Sequence, residues 1–146
     1  MISEEKLRIY NKTLEPFLWD ENQKLKPEVL LDLLRIAKDF YKSTDLKSSI
    51  LDISLLGSSI NYNWTPESDL DVHIVIDIKK EGLDPEHYRK FLDCLGGKWN
   101  QEHDIKIHGH KVEMYVQDIT EKNSTVEKAR KHASMYSLLS QSWLIP

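Results

Sequence analysis

From Asp69 to Asp77 the chain alternates between polar and apolar residues, with one exception. Leu70, Val72, Ile74 and Ile76 fall on one side of an extended backbone; Asp69, Asp71, His73, Val75 and Asp77 fall on the other. Period two belongs to β-structure, so this segment reads as a strand with one buried and one polar face. A strand needs neighbours. Ile50–Leu56 is short, apolar and rich in β-formers, and Gly57-Ser58-Ser59 ends it. Residues 105–117 read as a hairpin turning near Gly109, with Val112, Met114 and Val116 facing one way and Lys111, Glu113 and Tyr115 the other.

Helical periodicity surrounds these strands. Ser3 is a candidate N-cap, and Leu7, Tyr10, Leu14, Phe17 and Leu18 recur at helical spacing until Asp20-Glu21-Asn22 breaks the pattern. Pro27 opens a second helix with Val29, Leu30, Leu33, Leu34, Ala37, Phe40 and Tyr41 as its apolar stripe. Asp84-Pro85 caps a third, with Tyr88, Phe91, Leu92, Leu95 and Trp99 as the buried stripe and Gly96-Gly97 weakening its end. Residues 119–132 are polar, loop or short helix, and 133–145 suggest two short strands turning near Ser140-Gln141. The expectation is an α/β (α+β) fold, a mixed sheet flanked by helices. It forms a single domain over 1–146: N-terminal helices at 1–49, a core at 50–117 and a C-terminal extension at 118–146. Lys plus Arg number 20 and Asp plus Glu 24, a net charge of −4, which lacks the field of a nonspecific nucleic-acid binder. One cysteine, Cys94, excludes an internal disulfide framework. No apolar run has membrane-spanning length and the start has no apolar signal core, so the expected location is the cytosol, with no membrane partner.

Asp69 and Asp71 put two carboxylates on one strand face, about 7 Å apart along it. Such like charges repel unless a cation neutralises them, and carboxylates suit hard ions such as Mg²⁺ or Mn²⁺. Should the Glu113 strand pair beside this one, three carboxylates converge: a ligand set for two-metal phosphoryl or nucleotidyl transfer. Gly57-Ser58-Ser59 turns sharply after a strand, and its N–H groups and hydroxyls suit a phosphate.

In this order, Leu55-Leu56-Gly57-Ser58-Ser59, then Ser68-Asp69-Leu70-Asp71-Val72-His73-Ile74-Val75, then Val112-Glu113-Met114-Tyr115-Val116, the chain resembles the DNA polymerase β-like nucleotidyltransferase superfamily. The likeness covers residues 50–117. It extends to small nucleotidyltransferase-like proteins common in phage genomes, through the N-terminal helical segment and Tyr136-Ser137 with Trp143 near the end. The resemblance implies the nucleotidyltransferase fold and a bacterial or phage-infected host cytosol. It implies that Gly57 and Ser58, with Ser59, hold the triphosphate of an NTP such as ATP, and that Asp69 and Asp71 ligate both Mg²⁺ ions. Glu113 would assist one metal and help deprotonate an acceptor hydroxyl on RNA, a protein or a small molecule. Three departures stand out. Ile60–Asn63 occupy the stretch where many small bacterial members carry an arginine, the third carboxylate is Glu rather than Asp, and no large second domain is present. The last favours transfer of a single nucleotide over processive polymerisation.

Two rival readings stay open. One is a non-catalytic nucleotide- or partner-binding module; the other is a sugar-nucleotide glycosyltransferase using Asp69 and Asp71. Other residues carry paired readings too. His73 is a substrate contact or a partner of an acidic neighbour. His108 and His110 are zinc ligands or, preferably, an exposed hairpin turn. Lys111 is a nucleotide-binding phosphate contact or a solvated lysine, and Ser59 a phosphate contact or only a turn residue. Lys128, Arg130, Lys131 and His132 bind triphosphate or nucleic acid, or form a solvated face. Asn63 and Trp64 contact a base, or Trp64 anchors its loop. Trp99, Trp143 and Cys94 read as packing.

Overall fold

Asp52–Leu56 (β1) and Leu70–Ile76 (β2) pair antiparallel, Leu55 opposite Val72 and Leu56 opposite Asp71. The computed structural model describes residues 10–82, 84, 87–121 and 135–145. Among these, Pro27–Ser43 forms helix α1 and Tyr88–Glu102 helix α2; Lys106–Ile107 (β3), His110–Asp118 (β4), Met135–Ser137 (β5) and Ser142–Ile145 (β6) complete a six-stranded mixed sheet. Its order is β3-β4-β2-β1-β5-β6. β2 and β4 run parallel, joined through α2, while the other pairs are antiparallel. Parallel neighbours need such a crossover, and the helix supplies it.

The alternation in β2 works as expected. Leu70, Val72, Ile74 and Ile76 join Ile53 and Leu55 of β1 and Val112, Met114 and Val116 of β4 in one core, against Leu33, Ala37 and Phe40 of α1. The opposite face carries Asp71, His73, Glu113 and Tyr115, all partly exposed. In α1, Pro27 sits in the first turn, Glu28 lies near the helix N-terminus and Lys42 near its C-terminus, each sign opposed to the end charge of the helix. Ile36 joins the expected stripe in the core.

Three expectations about helices fail. Residues 10–26 form bends and turns with an isolated bridge between Trp19 and Leu25, not a helix. Pro16 cannot donate a helical hydrogen bond, and side chains compete for the backbone: Glu15 accepts from the Phe17 N–H, and Asp20 accepts from those of Asn22 and Lys24. Leu14 and Leu18 are still buried, but Tyr10 and Phe17 are exposed. Ser3 and Leu7 lie outside the described residues. In α2, Gly96-Gly97 does not weaken an end: the helix runs on to Glu102. Gly96 is buried where a Cβ would come within 2.7 Å of the Met114 carbonyl, so it lets the helix lie against β4. Phe91 and Cys94 face solvent rather than the core.

α2 also protects an edge. β3 covers only the start of β4, at Lys111 and His110. Further along, the Asn100 side chain donates to the Met114 carbonyl and accepts from its N–H, and Arg89 donates to the Val116 carbonyl. Side chains thus satisfy backbone groups that would otherwise offer a pairing edge. No helix among the described residues is long and apolar enough to cross a membrane.

Candidate active site

The parallel register of β2 and β4 sets Asp71 directly beside Glu113. Asp69, exposed, stands one residue before β2 on the same side. One ligand oxygen from each of Asp69, Asp71 and Glu113 lies within 4.8 Å of the other two. Among the described residues this is the one group of three or more His, Cys, Asp or Glu side chains close enough to hold an ion.

Gly57 closes the site from behind. Its φ is +97°, in the region that favours glycine, and a Cβ there would lie 2.9 Å from Oδ2 of Asp71. Asn61 donates its amide to the Gly57 carbonyl, and residues 58–60 wind into a short 3₁₀ turn. Ser58 donates its hydroxyl to Oγ of Ser68, which also accepts from the Thr65 N–H. The turn after β1 is thereby tied to the loop that delivers Asp69. Ser59 is different: it is fully buried, and its carbonyl accepts from the Trp19 indole. Its hydroxyl faces the interior, which removes it from the side chains able to meet a phosphate.

Crowded negative charge shapes the chemistry. Burial, then the charges of Glu113 and Asp69, push the Asp71 carboxyl up to about 6. Tyr115 donates its hydroxyl to Oε2 of Glu113 at 2.7 Å. Burial foremost, then that bond and the three carboxylates, hold its phenol protonated far above the ordinary range. The Lys111 ammonium lies 4.0 Å from Oε1 of Glu113. Three carboxylates against this one ammonium leave a formal charge of 1 − 3 = −2 when all are ionised. A hard divalent cation matches both the oxygen donors and the excess charge.

His73 extends the same face. Its Nδ1 donates to Oε1 of Gln117 at 2.8 Å, and its ring packs on that of Tyr115 with centroids 4.9 Å apart. Gln117, His73 and Tyr115 therefore form a line of support behind Glu113. Tyr115 shares the polar strand face by simple alternation, but Gln117 had no signal beyond that.

The paired histidines do not converge as zinc ligands. His108 is exposed at the hairpin turn and stacks on Phe17, centroids 5.4 Å apart. His110, expected to be exposed, is buried: Nδ1 donates to the Ser68 carbonyl at 2.7 Å, and Nε2 meets Oε2 of the equally buried Glu15. The Nδ1 proton is committed to the carbonyl, so the contact with Glu15 needs a second proton, on Nε2 or on the carboxylate. Glu15 and His110 are 95 positions apart, and no sequence signal pairs them. Trp64 anchors its loop by donating to the Thr13 carbonyl. Trp99 and Trp143 pack against the core. Lys128, Arg130, Lys131 and His132 lie outside the described residues. No family model, curated protein or solved structure matches this chain.

Proposed function

We propose that this chain is a metal-dependent nucleotidyltransferase of the polymerase β-like fold, moving a nucleoside monophosphate from an NTP to an acceptor hydroxyl with release of pyrophosphate. The supporting observation is the convergence of Asp69, Asp71 and Glu113 within 4.8 Å, beside Gly57, whose φ of +97° suits glycine and where a Cβ would lie 2.9 Å from Oδ2 of Asp71. Both metal ions would be held by these three carboxylates. When bound, Mg²⁺ or Mn²⁺ supplies charge neutralisation at the phosphoryl oxygens and aligns the attacking and leaving groups.

The chain's own groups have distinct tasks. Asp71 is the innermost carboxylate, held against Gly57 and Glu113. Exposed Asp69 faces the incoming nucleotide. Glu113 keeps one oxygen committed to the Tyr115 hydroxyl, which fixes its rotamer and leaves the other oxygen toward the site. That oxygen, 4.0 Å from the Lys111 ammonium, is the one suited to take the proton of the acceptor hydroxyl. Lys111, beside Glu113, suits a phosphate oxygen. The Gly57–Ser58 turn, packed beside Asp71, would offer its backbone N–H groups to the phosphates.

Paramagnetic broadening by Mn²⁺ tests the reading. Titrated into the full chain with an NTP present, Mn²⁺ should bleach resonances of Gly57, Asp71 and Glu113 first. The Asp69→Asn/Asp71→Asn protein should show no localised bleaching. Localised bleaching elsewhere, or bleaching unchanged in the double variant, rules the carboxylate site out.

A further inference from the structure

The turn joining β3 to β4 fixes which side chains stand side by side at that edge of the sheet. His108 has φ +50° and Gly109 φ +84°, and positive φ at both central residues marks the two-residue turn that suits a twisted hairpin. Ile107 then lies opposite His110 and Lys106 opposite Lys111. One step further out the Val112 N–H donates to the Ile105 carbonyl. Lys106 and Lys111 are therefore a non-hydrogen-bonded pair, the kind whose side chains stand closest, with Cβ atoms about 5 Å apart. Like charges so placed repel. Lys106 is exposed and makes no ion pair among the described residues. We propose that Lys106 and Lys111 bind a phosphate of the acceptor, so that the acceptor is a molecule with a phosphate beside its attacking hydroxyl; the inference rests on the nucleotidyltransferase reading.

The pair shares a face with the carboxylates. Ile107 is buried and Ile105 packs against the core, so alternation turns Lys106 to the other side of the sheet. Lys111 and Glu113 lie on that side too, the ammonium 4.0 Å from Oε1 of Glu113.

The direction of the reaction assigns the pair to the acceptor rather than to the NTP. Sheet order puts β4 and then β3 on one flank of β2, and β1 with the Gly57–Ser58 turn at its end on the other. In the transfer, a bond forms between the acceptor oxygen and the α-phosphorus. The bond from that phosphorus to the bridging oxygen breaks, pyrophosphate leaves and the acceptor proton passes to Glu113. Attacking and leaving oxygens lie roughly in line. With the phosphates at Gly57 and Ser58, pyrophosphate departs on the β1 flank and the acceptor enters over β4. There it meets the lysines: β3 is one strand spacing, about 5 Å, from β4, and Lys111 stands about 7 Å along the strand from Glu113. A phosphate between the two ammoniums is thus within reach of a hydroxyl on the same sugar unit.

Charge narrows the acceptor further. A net charge of −4 gives no long-range attraction for an extended polyanion, so recognition is local, at the phosphate nearest the hydroxyl. An oligonucleotide 3′ end and a free sugar phosphate both present that chemistry.

NMR titration of the full chain tests this, following the Lys106 and Lys111 resonances. The protein is first loaded with Mg²⁺ and the α,β-methylene analogue of each NTP, which blocks transfer. The acceptor probes are the dinucleotide ApA, ribose 5-phosphate, adenosine and ribose. ApA or ribose 5-phosphate should shift both lysines and bind roughly fivefold or more tightly than its unphosphorylated counterpart. Whichever of the two binds tighter identifies the source of the phosphate. Lys106→Gln, at an exposed position, should erase that advantage, Lys106→Arg should keep it, and neither should change binding of the Mg²⁺-loaded analogue. Equal binding of phosphorylated and unphosphorylated probes, or a Lys106→Gln protein within twofold of wild type for the phosphorylated ones, overturns the subsite and leaves the nucleotidyltransferase reading standing. Failure of wild type to bind any Mg²⁺-loaded analogue overturns that reading and the subsite with it.

Discussion

Replacing Asp71 with asparagine should make the metal-free protein more stable at neutral pH while destroying its response to metal. The carboxyl is raised from 3.8 to about 6 by burial and by the charges of Glu113 and Asp69. The folded protein therefore binds this proton more tightly than the unfolded chain does. Unfolding free energy falls as pH climbs from about 4 to about 6 and stays reduced above that window. Two pKa units correspond to about 3 kcal/mol, and partial exposure of the site reduces this to roughly 1–2 kcal/mol. Asparagine keeps the shape and removes the charge, so in EDTA at pH 7.5 its melting temperature should exceed that of wild type by roughly 3–8 °C. Near pH 4 the gap should close, because Asp71 is then protonated in the wild-type fold. Millimolar Mg²⁺ should raise wild-type stability by mass action and leave the variant unmoved. Thermal melts across pH 4–8, with EDTA or Mg²⁺, contain every arm. A variant that melts below wild type at pH 7.5 in EDTA, or that gains as much from Mg²⁺, would refute a strained carboxylate cluster built for a cation.

Other outcomes follow from close contacts. Gly57→Ala places a Cβ against Asp71 at a positive φ, so it should cost about 1–2 kcal/mol in a denaturant titration and abolish the Mg²⁺-induced rise in melting temperature. Gly96→Ala drives a Cβ toward the Met114 carbonyl and should destabilise by about 1–3 kcal/mol, whereas Gly97→Ala, with open space around it, should stabilise by about 0.5–1 kcal/mol in the same measurement. His110→Ala removes the partner of buried Glu15 and the donor to the Ser68 carbonyl and should cost about 2–4 kcal/mol in chemical denaturation, while the exposed neighbour His108 should tolerate asparagine within about 0.5 kcal/mol.

What could be read from the chain was whatever depends on local period. The alternation from Asp69 to Asp77 placed a strand, its core face and its carboxylates, and the same logic placed Glu113 and Lys111. Pro27 and its apolar stripe announced α1. The failures have one cause: the deciding interaction is distant in sequence or carried by backbone. Tyr10, Leu14, Phe17 and Leu18 have helical spacing, but Pro16 and local side-chain bonds divert the backbone, and Glu15 is held by a histidine on β4. Gly96 looked like a helix terminator because the carbonyl that needs its missing side chain sits on another strand. Phe91 and Cys94 carried apolar side chains on the outer face of α2. Ser59 sat beside two plausible phosphate contacts, yet one residue of 3₁₀ turn rotates it inward.

The central proposal, nucleotidyl transfer at Asp69, Asp71 and Glu113, is tested most directly by a label-transfer assay. The purified protein is incubated with each of the four α-phosphate-labelled NTPs, Mg²⁺ or Mn²⁺, and pooled RNA, protein and small-molecule acceptors, beside the Asp69→Asn/Asp71→Asn protein. Metal-dependent label on one acceptor class, absent from the double variant and suppressed by EDTA, is the expected result. Label transfer that survives in the double variant, or no transfer from any NTP to any acceptor, would contradict it.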